Sequence, residues 1–168
     1  MHTSQVHAVA EQLGIQLKER HLRIATAESC TGGQLAQTIT AIPGSSQWFE
    51  RGFIPYSPLS KQELLGVQSA TLARYGPVSK ETAAEMAKGV LQNSAADLSI
   101  AITGIAGPDG GTEEHPVGTI YFAWAHREIF CDTHVQHFTG DRLIIRYAAV
   151  EFALKKLSIL IQKNFKTC

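Results

Sequence analysis

The order of periodicities along these 168 residues predicts an α/β fold, a three-layer α/β/α sandwich around a mostly parallel mixed sheet of about five strands. Short apolar runs of strand length alternate with stretches of helical spacing, the pattern of parallel strands joined by crossover helices. Two late strand-like segments, Thr119 to Trp124 and Ile129 to Phe138, are separated by only a few residues around Arg127. That gap is too short for a crossover, so the two pair as an antiparallel hairpin. With 44% hydrophobic and 18% charged residues, the chain can bury one sizeable core, and residues 1–168 are expected to form a single domain.

The elements follow in order. Val6, Val9, Ala10, Leu13 and Leu17 recur at helical spacing, and Leu22 to Thr26 then reads as a buried strand. A helix from about Gly33 to Ile42 stops at Pro43-Gly44. A second strand carries Phe49, Phe53 and Ile54 and reaches Tyr56. Ser57 then offers an N-cap and Pro58 a first helical position, with Gly66 as the stop, so Lys61 falls in the first turns of that helix. Ser69 and Ser79 are further N-cap candidates, and the second opens a helix to about Asn93 with Ala83, Met86, Ala87 and Val90 on its inner face. Strands from Leu98 to Thr103, Thr119 to Trp124 and Ile129 to Phe138 come next, and a helix from Asp141 to about Gln162 closes the chain.

Composition excludes several classes of partner. Fifteen Lys+Arg balance fifteen Asp+Glu, so no overall basic field exists to hold a nucleic-acid backbone. No apolar stretch approaches the ~20 residues of a membrane span, and the polar start Met1-His2-Thr3-Ser4-Gln5 lacks the charged and apolar regions of a signal peptide. A cytosolic protein is expected. Cys30, Cys131 and Cys168 are scattered, without disulfide or zinc spacing, so reduced thiols are the default. The seven histidines show no metal-ligand spacing either; His134 and His137 fall on opposite faces of a predicted strand. No metal and no cofactor is expected.

In open α/β sheets, ligands bind outside the carboxyl ends of the parallel strands. Ser29, the helix start that carries Lys61, and Gly104 each follow a predicted strand, so they can converge on one edge. Ser29 lies in Thr26-Ala27-Glu28-Ser29-Cys30-Thr31-Gly32-Gly33, a strand-to-helix turn whose free N–H groups and helix dipole favour negative charge. A serine there caps the helix or serves as a nucleophile. Cys30 is the rival nucleophile, because a thiol at a helix N-terminus can have a lowered pKa, although no histidine is visibly placed to serve it. The stretch from Gly104 to Gly118, with Gly107, Gly110 and Gly111 between, is far longer than the ~4–6 residues of an ordinary connection. Its glycines let backbone N–H groups approach an anion or a planar ring, the alternative being a mobile surface loop. Arg142 and Arg146 stand one helical turn apart, suited to gripping a phosphate or simply solvated.

Taken together, Thr26 to Gly33, Pro43-Gly44-Ser45-Ser46 with Phe49-Glu50-Arg51-Gly52-Phe53, Thr103 to Gly111, Pro116-Val117-Gly118-Thr119 and Gly140-Asp141-Arg142 resemble the C-terminal domain of the competence-damage protein CinA, in register from about Ala10 to Leu157. That family includes stand-alone nicotinamide-nucleotide amidohydrolases, which convert nicotinamide mononucleotide to nicotinate mononucleotide and ammonia. The resemblance implies Ser29 as nucleophile, Lys61 as its base and Tyr56 as a residue that orients Lys61 or stacks on a ring. It implies substrate contacts from Cys30, Thr31, Gly32 and Gly33, from Thr103, Gly104, Gly107, Gly110 and Gly111, and from Arg142 and Arg146 at the phosphate. Glu28 would face the cationic pyridinium or make a structural hydrogen bond. The implied partner is the small-molecule substrate, composition argues against nucleic acid and membrane, and the sequence leaves both a monomer and a homo-oligomer open. Two positions depart from the family pattern: Pro58 stands where asparagine is expected and His115 where lysine is. Another small carboxamide as substrate, or a non-catalytic nucleotide-binding domain, are the alternatives.

Overall fold

A computed structural model of the chain describes residues 2–165. Helix α1 (His2–Glu19) leads into β1 (Ile24–Glu28), α2 (Gln34–Thr40), a 3-10 turn at Ser45–Gln47 and β2 (Phe49–Phe53). Helices α3 (Pro58–Leu65), α4 (Ser69–Tyr75) and α5 (Lys80–Gln92) precede β3 (Leu98–Gly104). Strands β4 (Thr119–His126) and β5 (Cys131–His137) and helix α6 (Arg142–Asn164) complete the order.

The five-stranded sheet has the order β2-β1-β3-β4-β5. β1 is parallel to β2 and β3, whereas β4 is antiparallel to both β3 and β5. Four strands therefore run one way, which is the sense in which the mixed sheet is mostly parallel. The chain leaves β1 for β2 through α2, then crosses back past β1 to β3 through α3, α4 and α5. Crossovers that depart from one strand to opposite sides place their helices on opposite faces and leave a crevice at that strand's carboxyl end. Here that end is the Glu28–Ser29 junction.

Side-chain size separates the two faces. One face presents Ile24, Leu98, Ile100, Ile102, Ile120, Phe122 and Trp124 to α1, α2 and α6, forming the larger core. Trp124 buries its ring there and donates Nε1–H to Ala153 O at 3.0 Å. The other face presents Ala25, Ala27, Ala101, Ala123 and Ala125 to Met86, Ala87 and Val90 of α5. Small strand residues let α5 sit close, and Ser99 Oγ reaches Ala87 O at 2.8 Å. No helix among the described residues is long and apolar enough to cross a membrane. Cys168 lies outside the described residues.

The local start signals explain the helices and correct two expectations. Ser57 caps α3 with Pro58 in its first turn, and its side chain accepts from Ser60 N. Gly66 ends that helix with φ 67°. Ser79 and Asp141 cap α5 and α6 in the same way. At α4, however, Gln68 and not Ser69 occupies the cap, without a side-chain cap bond. Glu85 of α5 does that work instead, accepting from Gln68 N at 2.8 Å and from Thr71 Oγ1. β2 stops at Phe53, so Tyr56 lies in the connection beyond it, 59% exposed.

Candidate active site

The ends of three parallel strands meet at one cleft. β1 delivers Ser29, the segment after β2 delivers Pro55 and Tyr56, and β3 ends in Thr103 and Gly104. α3 begins directly after the second of these and turns Lys61 inward. Lys61 is 1% exposed, and its Nζ lies 2.9 Å from Ser29 Oγ and 2.8 Å from the Pro55 carbonyl oxygen. Burial lowers its pKa from the ordinary 10.5 to about 8, against a small opposing pull from Cys30. Lys61 has no carboxylate partner in an ion pair among the described residues. The amine is thus available in its neutral form near neutral pH, in contact with a hydroxyl that stands at the crevice of the sheet.

The Ser29 turn is held from both sides. Ser29 N–H donates to Ile102 O at 2.9 Å, tying the turn to β3, and Gly32 N–H donates back to Ser29 O at 3.0 Å. Among the described residues no backbone carbonyl takes the N–H of Cys30 or Thr31. Gly33 opens α2 with φ 97°, a left-handed conformation that costs glycine little. Glu28, fully buried, turns its carboxylate onto that helix: Oε1 accepts from Leu35 N at 2.7 Å and Oε2 from Ala36 N at 3.0 Å. Burial raises its pKa, and these amides pull it back.

The cleft has a volume of about 270 Å³, near the lower end of the ~300–1,000 Å³ range of small-molecule sites. Ser29, Lys61, Tyr56, Cys30 and Arg142 line it, together with Thr103, Gly104, Gly107 and Gly110. Thr103 Oγ1 is spent on Pro77 O at 2.8 Å, so it shapes the wall more than it offers a donor. Gly107 has φ 79°, and a Cβ there would meet Val117 Cγ1 at 2.5 Å, so the loop packs tightly only with glycine at that position. Arg142 spans the mouth, donating from Nη1 to Gly107 O at 2.7 Å and from Nη2 to Tyr56 Oη at 3.2 Å.

Other predicted site residues lie elsewhere. Glu28 is a cap for α2 and does not face the cleft, since both its oxygens are committed to backbone N–H groups. Thr31 is buried, and Gly32 and Gly33 border a separate groove beside Arg146. Arg146 donates from Nη2 to Thr31 O at 2.8 Å and does not line the Ser29 cleft. Gly111 packs against Val117, whose N a Cβ at that position would meet at 2.8 Å. Cys30 lines the cleft, but burial pushes its thiol up to about 12, so it holds its proton and is a poor nucleophile. Sequence reasoning missed Pro77, Val78, Ile105, Ala106 and Asp109 on the walls. Asp109 had a signal, as the one acidic residue within the glycine-rich run Gly104 to Gly111.

A larger cavity, about 490 Å³, lies at the other end of the sheet between α5 and the β4–β5 hairpin. It contains Cys131, whose pKa burial also raises, and no counterpart of the Ser29–Lys61 pair. Among the described residues no three His, Cys, Asp or Glu side chains gather as a metal site would need.

Known proteins are similar to this chain in sequence and in fold. The model of the CinA C-terminal domain family matches residues 6–161. The nicotinamide-nucleotide amidohydrolase PncC of Escherichia coli K12 is 48% identical over 157 residues, which is 94% of this chain and 95% of that protein. Its counterpart in Enterobacter agglomerans is 46% identical, covering 92% and 94%. The crystal structure of the competence/damage inducible protein CihA from Agrobacterium tumefaciens superposes with a TM-score of 0.90 at 39% identity, over 94% of this chain and 96% of that one.

Proposed function

The chain belongs to the CinA C-terminal domain family and is an amidohydrolase, and we propose that it hydrolyses the carboxamide of nicotinamide mononucleotide to nicotinate mononucleotide and ammonia through an acyl-enzyme on Ser29. The observation that carries this reading is the buried Lys61 amine 2.9 Å from Ser29 Oγ, with its pKa lowered to about 8. Neutral Lys61 takes the hydroxyl proton as Ser29 Oγ attacks the carboxamide carbon. The N–H of Cys30, which lines the cleft beside Ser29, receives the oxyanion. The Lys61 ammonium then returns that proton to the amide nitrogen, which leaves as ammonia when the C–N bond breaks. A water, deprotonated by Lys61, breaks the ester and restores Ser29.

Arg142 holds the phosphate at the cleft mouth, where its Nε remains uncommitted beyond its bonds to Gly107 and Tyr56. Pro58 replaces an amide side chain with the start of α3 and lines the cleft as an apolar wall. We place the reaction in the cytosol, where the free thiols Cys30 and Cys131 stay reduced.

The test is release of ammonia by the purified chain across a panel of carboxamides, with and without a strong chelator. The proposal expects nicotinamide mononucleotide to be the preferred substrate at a rate the chelator leaves unchanged. Preference for another carboxamide overturns the substrate, and activity restored by zinc or manganese overturns the serine–lysine chemistry.

A further inference from the structure

We propose that Asp109 takes the cationic pyridinium of the substrate and makes the cleft selective for the charged, oxidised form of the nicotinamide ring. The inference rests on nicotinamide mononucleotide being the substrate. Among the described lining residues Asp109 is the one carboxylate, on the same cleft as Ser29, Lys61 and Arg142. Neither Asp109 nor Arg142 takes part in an ion pair among the described residues. Arg142 spends two donors on neutral acceptors, Gly107 O and Tyr56 Oη. Asp109 is exposed, and its side chain makes no hydrogen bond to another described residue.

A carboxylate and a guanidinium left unpaired on the walls of one small cleft complement a ligand that carries both charges at separate places. Nicotinamide mononucleotide is such a ligand, with a phosphate at one end and a quaternary ring nitrogen near the other. Lys61 forms no ion pair with Asp109 among the described residues. Tyr56, exposed on the same cleft, adds an aromatic ring, which also favours a cation over a neutral ring. The competing role for Asp109 is local: Pro108-Asp109-Gly110 is a turn sequence, and aspartate suits turns for reasons unrelated to any ligand.

The dihydro form of the nucleotide separates the two roles, since it keeps the ribose, phosphate and carboxamide and lacks the ring charge. The experiment measures kcat and KM of the full chain and of Asp109→Asn and Asp109→Glu for both nucleotides, with the Ki of the dihydro form where it is not turned over. Its lower intrinsic reactivity is common to all variants and drops out of the comparison. Asp109→Asn should raise KM for the charged nucleotide by about tenfold and shift the constant for the dihydro form by less than about twofold, with Asp109→Glu recovering part of the loss. Equal losses for both nucleotides, or no loss for the charged one, overturn the inference and leave Asp109 a turn residue. Turnover of nicotinamide mononucleotide unchanged in Asp109→Asn removes this inference while the proposed function stands. A wild-type chain inert toward both nucleotides overturns the proposed function and this inference with it.

Discussion

Lys61 Nζ touches Ser29 Oγ at 2.9 Å and the Pro55 carbonyl oxygen at 2.8 Å, so the amine of α3 is fixed between the nucleophile and the segment that follows β2. Two hydrogen bonds hold a side chain that would otherwise be free to turn to solvent. Desolvation, unopposed by any carboxylate partner among the described residues, then lowers its pKa.

The pH profile follows from that shift. A base must be unprotonated to act, so kcat/KM should rise with pH through about 8 and level off above it. Lys61→Ala should lower kcat by about 10²- to 10⁴-fold and flatten the rise, with KM little changed. Steady-state rates between pH 6 and about 10 check both expectations.

The same shift makes Lys61 a burden on stability. Its folded pKa, about 8, lies below the ordinary 10.5, so below pH 8 both states bind the proton and the folded state bears the full penalty. The penalty fades as pH rises from about 8 to 10.5. Lys61→Met should therefore stabilise the chain at pH 7 by up to about 3 kcal/mol, less the loss of the Pro55 bond, and by less at pH 10. Denaturant melts at the two pH values read the difference.

Arg142 and Arg146 should separate in kinetics as they do in space. Arg142→Ala should chiefly raise KM for nicotinamide mononucleotide, by an amount on the order of 1.5–3 kcal/mol, and affect nicotinamide riboside far less. Arg146→Ala removes the bond to Thr31 O that braces the Ser29 turn, so it should lower kcat alike for nucleotide and riboside. Constants for both substrates in both variants decide between a phosphate contact and a brace.

Glu28→Gln keeps an acceptor for one of the Leu35 and Ala36 amides and presents a donor to the other. A buried amide left without its acceptor costs about 1–3 kcal/mol, so thermal stability should fall, with KM nearly constant in the folded fraction. A KM that rises steeply would mean that Glu28 contacts substrate after all.

What the sequence made legible was local. Ser57, Pro58 and Gly66 start and stop α3 by backbone rules that act within a few residues, and they placed Lys61 correctly in that helix. The turn position of Ser29 followed from a strand-to-turn pattern of the same range, while its role as nucleophile came only from the family resemblance. Contacts across the sheet were not legible. Arg142 and Arg146 share a helical face, yet one reaches Gly107 and Tyr56 and the other Thr31, because the cleft edge passes between them. From the sequence Glu28 stays open between a pyridinium contact and a structural hydrogen bond for a similar reason: the choice depends on how tightly α2 folds back on β1. Glu85 capping α4 from α5 is likewise invisible to a rule that seeks caps in the adjacent sequence.

The identity of the nucleophile is the central claim, and acid quench during turnover followed by peptide mass mapping tests it most directly. Ser29 Oγ stands 2.9 Å from an amine whose pKa is lowered to about 8, whereas the neighbouring Cys30 thiol is pushed up to about 12 and stays protonated. The account predicts an ester of the nicotinate nucleotide, ribose phosphate intact, on the peptide at Ser29. The label should vanish in Ser29→Ala together with ammonia release, and persist in an active Cys30→Ala. Label on Cys30, or ammonia release that survives in Ser29→Ala, would contradict it.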